Sequence, residues 1–182
     1  MHGKRRQIVK EREIINPANG AGIALEKTKE GTPKGSIANC REVLTKDPRL
    51  RGKIRYNEFS DKIEISDVWW PRYSPSISDT DINNIRLYCE SQYNLSSEKG
   101  IPRAIDIVAH ENSYHPIKEV LDGLAWDGVS RIAELFPRYL GAERCEYTTE
   151  ATRLLLLAAI SRIYQPGIKF DTMVCLVDPL QG

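Results

Sequence analysis

Residues 53–66 read Lys53-Ile54-Arg55-Tyr56-Asn57-Glu58-Phe59-Ser60-Asp61-Lys62-Ile63-Glu64-Ile65-Ser66. Apolar and polar side chains alternate here with a period of two, as in strands whose two faces meet different surroundings. Ser60-Asp61 takes the place of a two-residue hairpin turn. On that register Ile54, Tyr56, Ile63 and Ile65 share one face, and Lys53, Arg55, Phe59 and Lys62 share the other. Ser-Asp is a weaker turn signal than Asn-Gly, because a tight hairpin turn asks for positive φ at its central residues.

Helical spacing surrounds the hairpin. Upstream, Ser36 suits the N-cap of a helix with Ile37, Cys40, Val43 and Leu44 inward, ended by Asp47-Pro48. Residues 1–35 read as a flexible basic tail: Lys4, Arg5, Arg6, Lys10 and Arg12 cluster early, and Asn16-Pro17, Asn19-Gly20 and Gly31-Thr32-Pro33 punctuate the rest. Downstream, residues 67–78 (DVWWPRYSPSIS) form an aromatic loop interrupted by proline. Ser78 then caps a helix with Asp81 as a partial capping box, and Ile82, Ile85, Cys89 and Tyr93 form its stripe. These elements make a small α+β module over 36–95.

Residues 100–171 read as a helical bundle. Pro102 suits a first helical position, with Ala104, Ile105, Val108 and Ala109 inward. Pro116 opens a helix bearing Ile117, Val120, Leu121 and Leu124. Trp126-Asp127-Gly128 is a turn in which Trp plugs the core, Asp caps the next helix and Gly supplies an unusual backbone angle. That helix carries Ile132, Leu135, Phe136 and Tyr139, with Pro137 as a kink and Gly141 as its end. Thr148 or Thr149 opens the longest helix, which is apolar nearly all round through Leu154-Leu155-Leu156-Leu157 to Ile163 and so suits the centre of a bundle.

The chain has 182 residues, 28% of them charged and 41% hydrophobic, with a net charge of +1. That balance is globular and excludes a polycation, so any nucleic-acid surface must come from local clustering. Four scattered cysteines without a CxxC pair support neither zinc nor redox chemistry and fit buried thiols in a reducing cytoplasm. No apolar run is long enough to span a bilayer, and no signal peptide is evident. His110, Glu111 and His115 have HExxxH spacing, which does not bring both imidazoles to one helix face, so no metal site is expected. No catalytic set stands out. Arg49, Arg51, Lys53, Arg55 and Lys62, followed by Trp69, Trp70, Arg72 and Tyr73, combine cations with aromatics as nucleic-acid binding requires. A solvated sheet face beside core-packing tryptophans explains the same pattern.

The ending Met173–Val177 reads as a short buried strand running into Asp178-Pro179-Leu180-Gln181-Gly182. A strand entering such a turn begins a phosphate-binding loop, but an accidental turn fits the ending as well.

Several spaced motifs then resemble the virulence-associated protein E family. Leu121-Asp122-Gly123-Leu124-Ala125-Trp126-Asp127-Gly128 with Arg131-Ile132 is similar to its L-x-x-L-x-W-D-G-x-x-R-L signature. Tyr139 to Ala142, Tyr147-Thr148, Ala158 to Tyr164 and Pro166 to Asp171 fit the following blocks in order, and Leu44 to Ile65 resembles the segment before them. The resemblance covers roughly residues 33–182. It implies a helicase-like P-loop ATPase of prophages and mobile elements, engaged in DNA replication and using ATP and Mg²⁺ when complete, with homo-oligomers in the full-length family. It also implies that 172–182 begins a P-loop domain whose incomplete loop retains Pro179, Gln181 and Gly182. Asp178 stands where the family has glycine, Leu180 is inserted, and the loop's Lys and Ser do not follow. The expectation is therefore a cytoplasmic front portion without ATPase activity or a bound cofactor, whose Lys53, Arg55, Lys62 and Arg72 are candidates for DNA contact. The alternative is a non-enzymatic protein-interaction module or an inert prophage remnant.

Overall fold

The computed structural model describes residues 22–177. Among them are six helices and one two-stranded sheet, so the class is α+β and mainly helical. In chain order these are α1 (Ile37–Lys46), β1 (Ile54–Asn57), β2 (Lys62–Ile65), α2 (Asp79–Tyr93), α3 (Gly100–Glu111), α4 (Pro116–Asp122), α5 (Ile132–Leu140) and α6 (Glu146–Tyr164). The chain divides into two compact units, one through His115 and one from Pro116 onward.

In the first unit the capping signals decide the helix starts. The Ser36 hydroxyl accepts the Asn39 amide at 3.2 Å, and Ser78 and Asp81 close a full capping box. Val43, Leu44, Leu50, Ile54, Ile65, Ile85, Leu95 and Ile101 are buried together. α3 packs against α1, β1 and α2. The sequence reading grouped α3 with the later bundle, but its inward face belongs to the hairpin unit. Gly100 allows the close approach: a Cβ there would lie 3.2 Å from the Cys40 sulfur and 2.3 Å from the Ser97 hydroxyl. Residues 22–35 are tied down rather than loose. Asn39 receives the Glu26 amide at 2.9 Å and donates to the carbonyls of Glu26 and Lys34, and Ile23 and Leu25 pack on the core.

The hairpin register is Ile54 opposite Ile65, Arg55 opposite Glu64, Tyr56 opposite Ile63 and Asn57 opposite Lys62. The connection is thus a four-residue loop, Glu58 to Asp61, rather than the two-residue Ser60-Asp61 turn. The Asn57 side-chain oxygen explains the difference, because it accepts the amides of both Phe59 (3.0 Å) and Ser60 (3.1 Å) and holds the wider turn. Asp61 takes the positive φ of 56°. The shift is an even number of residues, so the face assignments stand and only Phe59 leaves the sheet for the turn. Both outer edges are occupied: Tyr114 bridges to Asn57 beside β1, and Ser76 bridges to Glu64 beside β2.

In the second unit α5 and α6 pack together, and α4 also touches α6. The Asp122 carboxylate accepts the Tyr164 hydroxyl, joining α4 to α6. α6 begins at Glu146, two or three residues before the expected start. It is not a buried central helix: Leu154 to Leu157 are each 37–47% exposed. Its buried residues are Thr152 and Ala158, and α5 contributes Phe136. Met173–Val177, expected as a strand, pairs with no strand among the described residues. A parallel-type strand needs hydrogen-bonded neighbours, and none of the described segments supplies one.

Candidate nucleic-acid interface

The face of the hairpin opposite the core carries Lys53, Arg55, Asn57, Lys62 and Glu64, as period-two alternation requires. The register therefore brings three of the four cationic candidates to one side. They are not bare charges. The Lys53 ammonium donates to the Asp67 carbonyl at 2.5 Å. The Arg55 guanidinium lies 3.8 Å from the centre of the Tyr114 ring, a close cation–π stack. Tyr114 in turn donates its hydroxyl to Glu64, which raises the phenol's pKa, and Asn57 donates to Glu64 at 3.0 Å. The result is an ordered polar surface on which Arg55 is held flat. Lys53, Arg55, Glu64 and Tyr114 also line a small basin of about 100 Å³.

Arg72 does not belong to this face. Its side chain is 14% exposed, and its fork is spent internally. Nε donates to Asp81 at 2.8 Å, Nη2 donates to the carbonyls of Ser76 (3.0 Å) and Pro75 (3.2 Å), and Nη1 donates to the carbonyl of Ile65. All three guanidinium nitrogens are thus engaged within the protein, which commits the fork away from phosphate. Burial works against the charge of Asp81. Its bonds from Arg72, Trp70 and Ser78 outweigh burial and hold its carboxyl well below the usual carboxylate range.

Two contributors escaped the sequence reading. Glu64 has the right parity to face Arg55, and that signal was legible. Tyr114 lies 50 residues away from Glu64 and reaches the sheet through a single bridge, for which the sequence holds no local sign.

The remaining motifs resolve into structure. His110 stacks on Tyr56 with ring centres 4.2 Å apart, and Glu111 pairs with Arg41 at 2.9 Å. Among the described residues no group of three or more His, Cys, Asp or Glu is placed to hold a metal. Cys40 and Cys89 are buried, and burial pushes the Cys89 thiol up to about 12, but Cys145 and Cys175 are exposed rather than buried. No helix among the described residues is long and apolar enough to cross a membrane.

Trp126-Asp127-Gly128 is a surface turn. Asp127 accepts the Val129 amide at 3.0 Å and pairs with Arg131, while Gly128 takes φ +82°. Trp126 is 80% exposed and fills no core, and Asp127 caps no helix because α5 starts only at Ile132. The motif's Arg131 is thus explained by its pairing with Asp127, which holds the loop before α5.

The expected loop residues Pro179, Gln181 and Gly182, with Asp178, lie outside the described residues.

No curated protein matches the chain. The family model of the virulence-associated protein E-like domain matches residues 121–182, the span that holds the Asp127–Arg131 turn, α5 and α6. Over these residues, about a third of the chain, the protein is similar to the virulence-associated protein E-like domain.

Proposed function

We propose that this chain serves DNA replication of a phage or mobile element in the cytoplasm, and that its hairpin unit contacts DNA. The match of residues 121–182 carries the reading, and the ordered cationic face of Lys53, Arg55 and Lys62 supports the DNA contact. Lysine and arginine on a flat sheet face neutralise backbone phosphates and release counterions, so binding falls steeply with salt. Replacing Lys53, Arg55 and Lys62 together by Glu is expected to weaken binding of a labelled oligonucleotide at least tenfold at low salt, and to flatten the plot of log affinity against log salt by about two to three units. A triple variant that binds as the parent does would sink the assignment.

On this reading the 182-residue chain is expected not to hydrolyse ATP, because Asp178 brings a carboxylate to the position where the family's phosphate loop has glycine. Purified chain is expected to show no Mg²⁺-dependent phosphate release above a no-protein control. Turnover that co-purifies with the chain through successive columns contradicts this.

One observation favours a second reading, a protein-interaction module. Leu154 to Leu157 and Trp126 present apolar surface in the second unit. Salt-dependent DNA binding that maps to the hairpin separates the two readings.

A further inference from the structure

We infer that Trp69 and Tyr73 form a base-stacking platform for single-stranded nucleic acid, displayed on a loop clamped by Arg72 and Asp81. The inference rests on the DNA-contact reading above and narrows it to single strands. Large aromatics are seldom left in water on a rigid loop, yet Trp69 is 49% exposed and Tyr73 fully exposed. The loop between β2 and α2 is held at several points. Arg72 ties Asp81 to the carbonyls of Ile65, Pro75 and Ser76, and the Trp70 indole donates to Asp81 at 2.7 Å. Trp70 and Arg72 are bonded into this clamp, while Tyr73 is left outward and Trp69, packed on Trp70 and Tyr88, keeps about half of its surface open. Stacking surfaces presented in a fixed geometry lose little entropy on binding.

The local charge suits a polyanion. Arg49, Arg51, Lys53 and Arg55 fall within seven residues that contain no acid. Two of them converge on the loop: Lys53 donates to the Asp67 carbonyl, and the Arg49 guanidinium sits 5.6 Å from the Trp69 ring centre. Trp69 also lies against Trp70 and Tyr88, which fixes its plane. The acidic side chains around the loop are Asp81, bonded within the clamp, Asp47, buried and bonded to Tyr88, Glu64, bonded to Tyr114 and Asn57, and Asp67, at a turn with φ 52°. Cations that track a backbone beside exposed rings bind single strands, whose bases are free to stack; duplex bases are not.

The test measures fluorescence anisotropy of a labelled oligothymidylate of about 20 nucleotides and of a duplex of equal length, with full-length chain. Trp69→Phe and Tyr73→Ala are used because Trp69 also packs internally, whereas a fully exposed Tyr73 can be truncated without opening a core. Tyr73→Ala is expected to lose roughly 5- to 50-fold in single-strand affinity with an unchanged salt slope, and Trp69→Phe roughly threefold. Duplex affinity should change less than twofold. If both variants bind the single strand as the parent does while the Glu triple variant does not, stacking is wrong and the cationic face stands. Equal losses on duplex and single strand overturn the single-strand assignment. A parent that binds neither overturns both readings and returns these rings to a protein partner.

Discussion

Asp81→Ala is expected to destabilise the hairpin unit by about 3–5 kcal/mol, the usual cost of leaving one partner of a buried ion pair alone. Asp81 is 3% exposed and receives Arg72, the Trp70 indole and both the amide and the hydroxyl of Ser78. Removing it strands the guanidinium, opens the capping box of α2 and frees the aromatic loop. Urea unfolding followed by circular dichroism reads the loss. Replacing both partners by apolar residues, as in Arg72→Met with Asp81→Leu, should recover part of it, because no unpaired charge remains. The pH dependence has a definite sign. The folded-state carboxyl titrates below its unfolded value of about 3.9, so its contribution is complete above about pH 5 and is lost as pH falls through the folded-state pKa. Asp81→Asn should therefore show a shallower acid limb than the parent between about pH 4 and about pH 2. An acid limb as steep as the parent's in Asp81→Asn assigns the sensitivity to other carboxylates.

Asp47→Ala should cost about 2–5 kcal/mol in the same unit. Asp47 has no exposed surface, and its Oδ2 accepts the hydroxyls of both Tyr88, at 2.9 Å, and Tyr93. Its Oδ1 accepts the Arg49 amide at 2.7 Å just past the end of α1. Burial, then the bond to Asp47, pushes both phenols well above the ordinary tyrosine range. The alanine variant leaves two buried hydroxyls without an acceptor, and each such group costs about 1–3 kcal/mol. The decisive comparison is a cycle with Tyr88→Phe and Tyr93→Phe. In that doubly substituted background Asp47→Ala should cost much less, because the stranded donors are gone. An equal cost in both backgrounds would assign the effect to the turn at Arg49 and remove the tyrosines from the account.

The parts of the fold that were legible rested on short-range rules. Ser36, and Ser78 with Asp81, fixed helix starts through one-turn hydrogen bonds, and alternation fixed the faces of the hairpin. Register was not legible, because it depended on the Asn57 side chain capturing two loop amides. Arg72 looked like a surface cation because its acceptors, three carbonyls and Asp81, are assembled only when the loop folds back on β2 and α2. Trp126 and the four consecutive leucines of α6 showed the opposite failure. Hydrophobicity implied burial, but burial requires a neighbour, and the described residues of the second unit cover only part of those side chains. For the candidate interface, parity placed Lys53, Arg55 and Lys62 together, whereas Tyr114, which orients Arg55, came from a distant bridge.

The bridges at Tyr114 and Ser76 also bear on how this protein behaves when concentrated. A two-stranded ribbon ordinarily offers two rows of unpaired amides and carbonyls on which a foreign strand can grow. Here the Tyr114 amide donates to Tyr56 and the Glu58 amide to Tyr114 on one side, and the Ile65 and Ile77 amides are engaged with Pro75 and Ile63 on the other. The hairpin is thereby closed to templated strand addition. With both edges taken, the hairpin can sit beside an exposed tryptophan and tyrosine without offering a foreign strand a free row of amides.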